Sequence, residues 1–218
     1  MIQNLLAAFS LLVAFGAAPH PLAGQELRLG PGSALWLEGD STLHVFSATS
    51  SAVRLFAKWK GEIPKDSHTL LASARRGDFE EFLALVPAAS LKSGKAGLDK
   101  NMHKALRARE HPFIRFRVTG LTLDAAPVFP EFQLQGTLTI AGRDAGLSIP
   151  ASLRAEGQNI YVEGSHELLM SDFGIAPPLA FLGAIKTRDR IKVLFKLNVA
   201  PGPEGVSGVE EEDLKGGN

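Results

Sequence analysis

Six histidines, His20, His44, His68, His103, His111 and His166, are the side chains of this chain best suited to proton transfer or metal binding near neutral pH. Their placement supports neither role. They are far apart and lack ligand spacing such as H-E-x-x-H, so each reads as a surface or structural histidine, and no metal or cofactor is expected. Neither a G-x-S-x-G nucleophile elbow nor a phosphate-cradling P-loop is present. The chain has no cysteine, which excludes a disulfide scaffold, a thiolate metal site, a cysteine nucleophile and a lipoprotein anchor. Asp40, Asp124 and Asp144 stand beside turn signals and read as turn formers. Catalysis would need a polar group on an inward face. By strand parity His44 lies opposite the apolar face, whereas His166 shares parity with Ile160 and Val162, which makes His166 the better candidate.

The elements that would position such groups are organised around residues 98–118, LDKNMHKALRAREHPFIRFRV. The first part reads as one short helix over Asp99–Arg107. Asp99 is placed as N-cap, because a short acidic side chain can accept from free backbone N–H groups. Leu98, Met102, Ala105 and Leu106 form its apolar stripe. Pro112 ends it, since the residue before proline is pushed to extended geometry. Strict alternation then begins at Ile114, Phe116 and Val118. Nearly everything else reads as strand. Residues 42–59 form one long alternating run, with Leu43, Val45, Val53, Leu55, Ala57 and Trp59 on one face and a small polar centre, SATSS, that suits a bend or bulge. Residues 61–77 read as loop, and 79–86 as a strand buried on both sides. Phe132, Leu134, Leu138 and Ile140 share a face, then Leu147, Ile149, Ala151 and Leu153, then Ile160 and Val162. Residues 171–189 are irregular. In the last strand Ile191, Val193, Phe195, Leu197 and Val199 alternate with polar residues.

Before the first strand lies a 14-residue weakly polar-to-apolar run, residues 5–18, followed by small and turn-forming residues. It is shorter than the ~20 residues of a membrane span and reads as a secretory signal peptide over residues 1–24, cleaved near Ala18 or at Ala23–Gly24. The expected location is therefore periplasmic or secreted. Residues 25–200 form the folded domain. Residues 201–218 carry five acids against one lysine, are rich in glycine and lack aromatics, so a disordered tail is expected. Lys+Arg and Asp+Glu are each 23, and such a balance argues against a nucleic-acid partner. Basic residues concentrate in Lys92–Arg117, eight against two acids. That is a solvated exterior on the plain reading and a transient membrane-surface contact on the sharper one.

Roughly eight two-faced strands joined by short turns fit an all-β sandwich or an up-and-down barrel. A barrel of that size either fills with side chains or holds one small ligand. The small inward positions Ala57, Gly136, Ala151 and Gly164 leave room for a cavity without requiring one. Several segments taken together resemble a known family: SALWLEGDSTLHVF, LKSGKAGLDKNMHKALRAREHPFIRF, GTLTIAGRDAGLSIPASL and LLMSDFGIAPPLAFLGAIKTRDRIKVLFKLNV are similar to the YceI-like secreted bacterial proteins. The resemblance runs from about Ser33 to Val199. It departs at Met170, where many members carry an arginine before the serine-aspartate pair.

The resemblance implies an extended eight-stranded antiparallel lipocalin-like barrel with one short helix near Asp99–Arg107. It also implies binding of a polyisoprenoid or other long-chain amphiphilic lipid, by a monomer or homodimer, without catalysis. On that basis Val45, Leu55, Trp59, Ile114, Phe116, Leu134, Leu138, Ile149, Val193 and Phe195 are expected as cavity walls. Phe173 and Phe181 would line an opening, and Met102 and Leu106 would close one side. Moving a lipid chain from water to apolar walls yields about 0.8 kcal/mol per CH₂, so useful affinity needs no polar contact. Two rivals stand beside the carrier: an enzyme acting on a lipophilic substrate in the same cavity, and a filled-core scaffold that binds a protein partner by its basic face.

Overall fold

The computed structural model describes residues 22–123, 132–180, 185–200 and 207–209. Backbone pairing closes the sheet into an antiparallel barrel. Strands β1 (Leu22–Leu29) and β2 (Ala34–Ser41) are separated by the Gly-Pro-Gly turn, and β3 (Val45–Ser50) and β4 (Arg54–Trp59) by residues 51–53. The wall continues through β5 (Phe79–Pro87), β6 (Phe113–Leu123), β7 (Phe132–Ile140), β8 (Arg143–Glu156) and β9 (Asn159–Leu169). After the two-residue strand β10 (Leu179–Ala180) comes β11 (Ile185–Ala200). The ring runs β1-β4-β5-β6-β7-β8-β9-β11, eight strands, and shuts where Arg28 and Leu29 of β1 meet Ala200 and Val199 of β11.

The ring is extended at one end. β11 outruns β1 and pairs with β2 from Lys196↔Ala34 to Thr187↔Ser41, and β3 pairs with β2. Thus β1 and β2 act as one interrupted strand beside β11, and β3 and β4 as the next. Ser33 holds the interruption: its hydroxyl donates to the Gly30 carbonyl at 2.8 Å, and the Asn198 N–H donates to that hydroxyl at 2.9 Å. The last short strand, β12 (Ser207–Val209), pairs with β1 at Leu22 and Gln25. It lies within the stretch assigned to the tail, whose other residues, 201–206 and 210–218, fall outside the described ones, as do residues 1–21 of the assigned leader.

Period-two alternation puts one parity inside. Leu55, Ala57 and Trp59 are buried within the barrel, as are Leu153, Ile160, Leu197 and Val199. β5 is buried on both sides: Val86 faces the interior cluster, while Leu83 and Leu85 join Phe56 and Phe113 in a separate cluster. The expected single strand over residues 42–59 is corrected here. Its three-residue break separates β3, whose buried positions are the even-numbered Ala48 and Ser50, from β4, whose inward positions are odd. Parity reverses across the break.

The described residues hold two α-helices, not one. Helix α1 (Ser67–Arg76) occupies the stretch expected as loop. Asp66 caps it, its carboxylate accepting from the Thr69 N–H at 2.9 Å, and Gly77 ends it in the left-handed conformation at φ 71°. That backbone bond holds the Asp66 carboxyl below the usual carboxylate range. Leu70 and Leu71 are buried against the interior cluster, and the Ser67 hydroxyl donates to the Gly157 carbonyl in the β8–β9 turn at 2.6 Å. The helix is a stopper at that end.

Helix α2 (Ala96–Ala105) starts and ends earlier than Asp99–Arg107. Its N-cap is Lys95. Asp99 sits inside the first turn, where its carboxylate accepts from the Ser93 N–H at 2.7 Å and the Ser93 hydroxyl at 2.5 Å. Arg107 has left the helix, with φ 52°, and its guanidinium bonds Glu110.

Three glycines keep the wall thin. A Cβ on Gly39 would stand 2.3 Å from Phe46 Cζ, one on Gly136 2.8 Å from Phe116 Cζ, and one on Gly164 2.5 Å from Phe195 Cζ. Gly39↔Phe46 and Gly164↔Phe195 are directly opposed across strands. In each case the ring lies across the glycine, a position that any side chain there would deny it.

Two outcomes are expected. Leu71→Ala removes the stopper's buried side chain and should lower unfolding free energy by about 2–5 kcal/mol, read by urea titration. Gly164→Ala would also meet the Pro150 carbonyl at 2.6 Å, which is backbone and cannot swing aside. It should lower the melting temperature clearly, and an unchanged melting curve would show that the wall has slack there.

Candidate functional site: an apolar cavity along the barrel axis

The interior is not filled by its own side chains. A cavity of about 620 Å³ runs through it, lined by residues from both helices and most of the strands. Its walls are almost wholly apolar. Polar lining is confined to Ser41, His44, Lys95, Asn101, His166 and Thr187 among the described residues.

Twelve of the expected site residues line this cavity. Leu55 and Trp59 come from β4, Ile114 and Phe116 from β6, Leu134 and Leu138 from β7, Ile149 from β8, and Val193 and Phe195 from β11. Met102 and Leu106 reach it from α2 and the turn after it, and Phe173 from a 3₁₀ turn, Met170–Phe173. Two residues stand apart. Phe181 lies outside the described residues. Val45 is corrected: it is 77% exposed on the outer face, opposite Asp40, while its neighbours His44 and Phe46 line the cavity. The parity reversal between β3 and β4 is the cause. Counting by twos from Leu55 across the break inverts every residue of β3. The same reversal brings His44 to the cavity, against its expected outward placement, and His166 reaches it as parity required.

Sequence reasoning missed the end-wall residues. Leu70, Leu71 and Ala74 of α1 line the closed end with Phe79 and Trp59. A helix signal was available in D-S-H-T-L-L-A-S-A-R-R-G: an acidic cap, a glycine stop and a leucine pair between them. At the same end the Trp59 indole N–H is buried without a hydrogen-bond partner among the described residues, its ring set edge-on to Phe79 with centroids 6.4 Å apart.

The two ends differ. At the α1 end Leu70, Leu71 and Trp59 are buried, Leu70 at 2% exposure, and Ala74 and Phe79 are half-buried. At the other end the lining residues His44, Lys95, Gly97, Asn101 and Leu169 are exposed, so the cavity meets solvent there. The β2–β3 hairpin, α2 and the strand ends Leu168–Leu169 and Thr187 form this mouth. Two sequence signatures build part of it. In S-D-F-G-I, Ser171 donates through its N–H (2.9 Å) and hydroxyl (2.5 Å) to the carboxylate of Asp189, the aspartate of K-T-x-D. That clamp seats Phe173 and Ile175, both buried, against Leu138 and Ile140. On the other side His103 bonds the Leu91 carbonyl at 2.8 Å and the Ser93–Asp99 bonds hold the start of α2. The same bonds lower the pKa of the Asp99 carboxyl, so this anchor is lost on acidification at a lower pH than an unbonded aspartate would protonate.

What the arrangement can do follows from its surfaces. An enclosed apolar channel open at one polar-rimmed end can take up a hydrocarbon chain lengthwise with a polar terminus left near solvent. Among the described residues no group of three or more His, Asp and Glu is placed to hold a metal ion.

Comparison with solved structures gives the same architecture. The chain is similar to BcnA of Burkholderia cenocepacia, with a TM-score of 0.60 and 14% identity over 76% of this chain and 95% of that one. It is also similar to a polyisoprenoid binding domain from Saccharophagus degradans implicated in plant cell wall breakdown, with a TM-score of 0.56 and 11% identity over 83% of this chain and 99% of that one. No curated protein sequence matches the chain. The YceI-like domain matches residues 39–199, from the end of β2 to the last turn of the closing strand. With that match over most of the barrel and its cavity walls, the chain belongs to the YceI-like family.

Proposed function

We propose that this protein binds and carries a polyisoprenoid or other long-chain amphiphilic lipid, with the hydrocarbon chain inside the barrel and the polar end at the mouth. One observation carries the reading: an apolar channel of about 620 Å³ that the protein leaves open although its own aromatic side chains could have filled it. Similarity to a polyisoprenoid binding domain supports the ligand class. Burial of about fifteen chain carbons would yield roughly 10 kcal/mol before ordering costs, which take back a sizeable part. Affinity on that scale needs no catalytic group and little headgroup recognition.

Export completes the proposal. Residues 1–24 have the pattern of a leader, and a periplasmic or secreted carrier would move lipid through water between membranes or partners. Cleavage near Ala18 would leave β1 whole, whereas cleavage at Ala23–Gly24 would remove its first two residues, Leu22 and Ala23; we favour the first.

A second reading has one observation in its favour. His166 lines the cavity from β9, opposite Val193 in register, and a histidine in an apolar channel can transfer protons on a lipophilic substrate. A filled-core scaffold is disfavoured by the cavity itself.

Native mass spectrometry of protein purified from its own host should show one co-purifying prenyl or acyl lipid per chain. Ala84 lines the channel from β5, and Ala84→Trp should fill it and abolish that adduct while far-UV circular dichroism stays unchanged. A tryptophan variant that keeps the adduct would overturn the placement of the chain in the barrel. His166→Ala should keep the adduct with its mass unaltered. A mass change between the lipids held by the parent and by this variant would instead favour the enzyme.

A further inference from the structure

The three large hydrophobic side chains that stand exposed among the described residues all belong to one rim of the barrel. Leu43 is 68% exposed, Val45 77% and Leu169 37%. Leu43 is at the centre of the tip of the β2–β3 hairpin and Val45 opens β3, while Leu169 ends β9, where it also lines the cavity mouth. The hairpin and Leu169 are bridged by β11: Thr187 pairs with Ser41 on one side and Arg190 with Leu169 on the other. Single exposed apolar residues are ordinary. Their concentration at the opening of an apolar channel is not.

Basic side chains stand at the same end. Lys95 lines the mouth and is exposed, and Lys100 is exposed in the first half of α2. Lys186 is exposed beside the hairpin, where its N–H and carbonyl both bond Thr42. None of these three lysines is in an ion pair among the described residues. Two carboxylates of this end are engaged: Asp40 pairs with Arg188 at 2.9 Å, and Asp99 is held by Ser93, whereas Asp172 on the 3₁₀ turn is an exposed acid. The broader basic stretch does not act as one patch, since Arg107 pairs with Glu110 and Arg117 with Glu81, away from this rim. The hairpin itself is rigidly braced. Ser41 bonds the His44 carbonyl at 2.8 Å and accepts from the His44 N–H at 3.1 Å, so the tip presents Leu43 and Val45 in a fixed frame.

We propose that the β2–β3 hairpin is a membrane-docking tip that seats the mouth of the barrel on an anionic lipid surface. Leu43 and Val45 enter the acyl boundary, and Lys95, Lys100 and Lys186 meet the headgroups. Apolar insertion and basic attraction are two weak signals that together give reversible membrane binding. In that pose the channel opens onto the bilayer, and a lipid chain can pass from one apolar phase to the other without crossing water. The inference rests on the reading of the cavity as a lipid site, but the two are measured separately.

The test is flotation of the full exported chain with phosphatidylcholine vesicles, with and without about a third phosphatidylglycerol. The parent should float with the anionic vesicles, weakly with the neutral ones, and less in ~0.5 M salt, where the Debye length falls to roughly 4 Å. The double variant Leu43→Asp, Val45→Asp should lose at least about tenfold in partitioning, while its melting temperature and its lipid adduct by native mass spectrometry match the parent. Because the chain has no cysteine, Leu43→Cys labelled with a polarity-sensitive fluorophore gives a second readout, and its emission should rise strongly on anionic vesicles and weakly on neutral ones. The proposal fails if the parent ignores anionic vesicles, if the double variant floats as the parent does, or if the label reports no change. Docking without any lipid adduct would sink the carrier reading and leave the docking tip standing.

Discussion

Closure of the hydrogen-bonded ring decides which side of each strand is inside, and the rings laid across glycines decide how much of that inside stays empty. An eight-stranded barrel is near the size at which ordinary side chains fill the lumen. Here Phe46, Phe116 and Phe195 would occupy much of it. Each instead has a glycine beneath its ring, Gly39, Gly136 or Gly164, so the aromatic bulk is taken up in the wall. The result is an apolar channel lined mainly by aliphatic side chains, with these rings among them. Two of the three pairs are direct cross-strand neighbours, so the register that shuts the barrel also brings each ring to its glycine.

The ends of the channel are built by different means, and the difference gives it a direction. The α1 end is a hydrophobic stopper tied by side chain to backbone, Ser67 to Gly157, with leucines facing inward. The opposite end is an assembly of small anchored pieces: the start of α2 held by Ser93–Asp99 bonds, the 3₁₀ turn held by Ser171–Asp189, and a hairpin braced by Ser41. Every one of these anchors is a short polar contact between a hydroxyl and a carboxylate or backbone group. They position the mouth without filling it. Binding in such a site would draw its energy from chain burial rather than headgroup contacts, so anchors that hold the mouth open without entering the channel suit the proposed carrier.

Family membership and physical reading converge on the same volume of the molecule. The YceI-like match covers residues 39–199, which include the hairpin tip, both helices, the clamp and most of the closing strand. Solved structures at 11–14% identity share the fold. At that distance the shared property is the architecture; Met170, before the serine-aspartate pair, and the exposed Leu43 and Val45 stand at the mouth.

Much of the wall was legible without coordinates. Leu134, Leu138, Ile149, Val193 and Phe195 lie on strands with unbroken period-two alternation, and one polar-out, apolar-in choice orients a whole strand. Other features were not legible, for identifiable reasons. Val45 was misplaced because residues 51–53 shift parity, and no local property of SATSS tells a bulge from a break between strands with different partners. Helix α1 was hidden by the proline and charges before it, although Asp66 and Gly77 were its caps. Asp99 has the right chemistry for an N-cap, but its partner turned out to be Ser93, outside the helix. Alternation alone therefore determined an all-β chain with one apolar face, and the resemblance of its segments pointed to the family. Only the tertiary structure decided that the face encloses a channel, which end is open and what stands at the rim. Those depend on where rings and helices come to rest after closure, a matter of long-range register that no stretch of residues carries by itself.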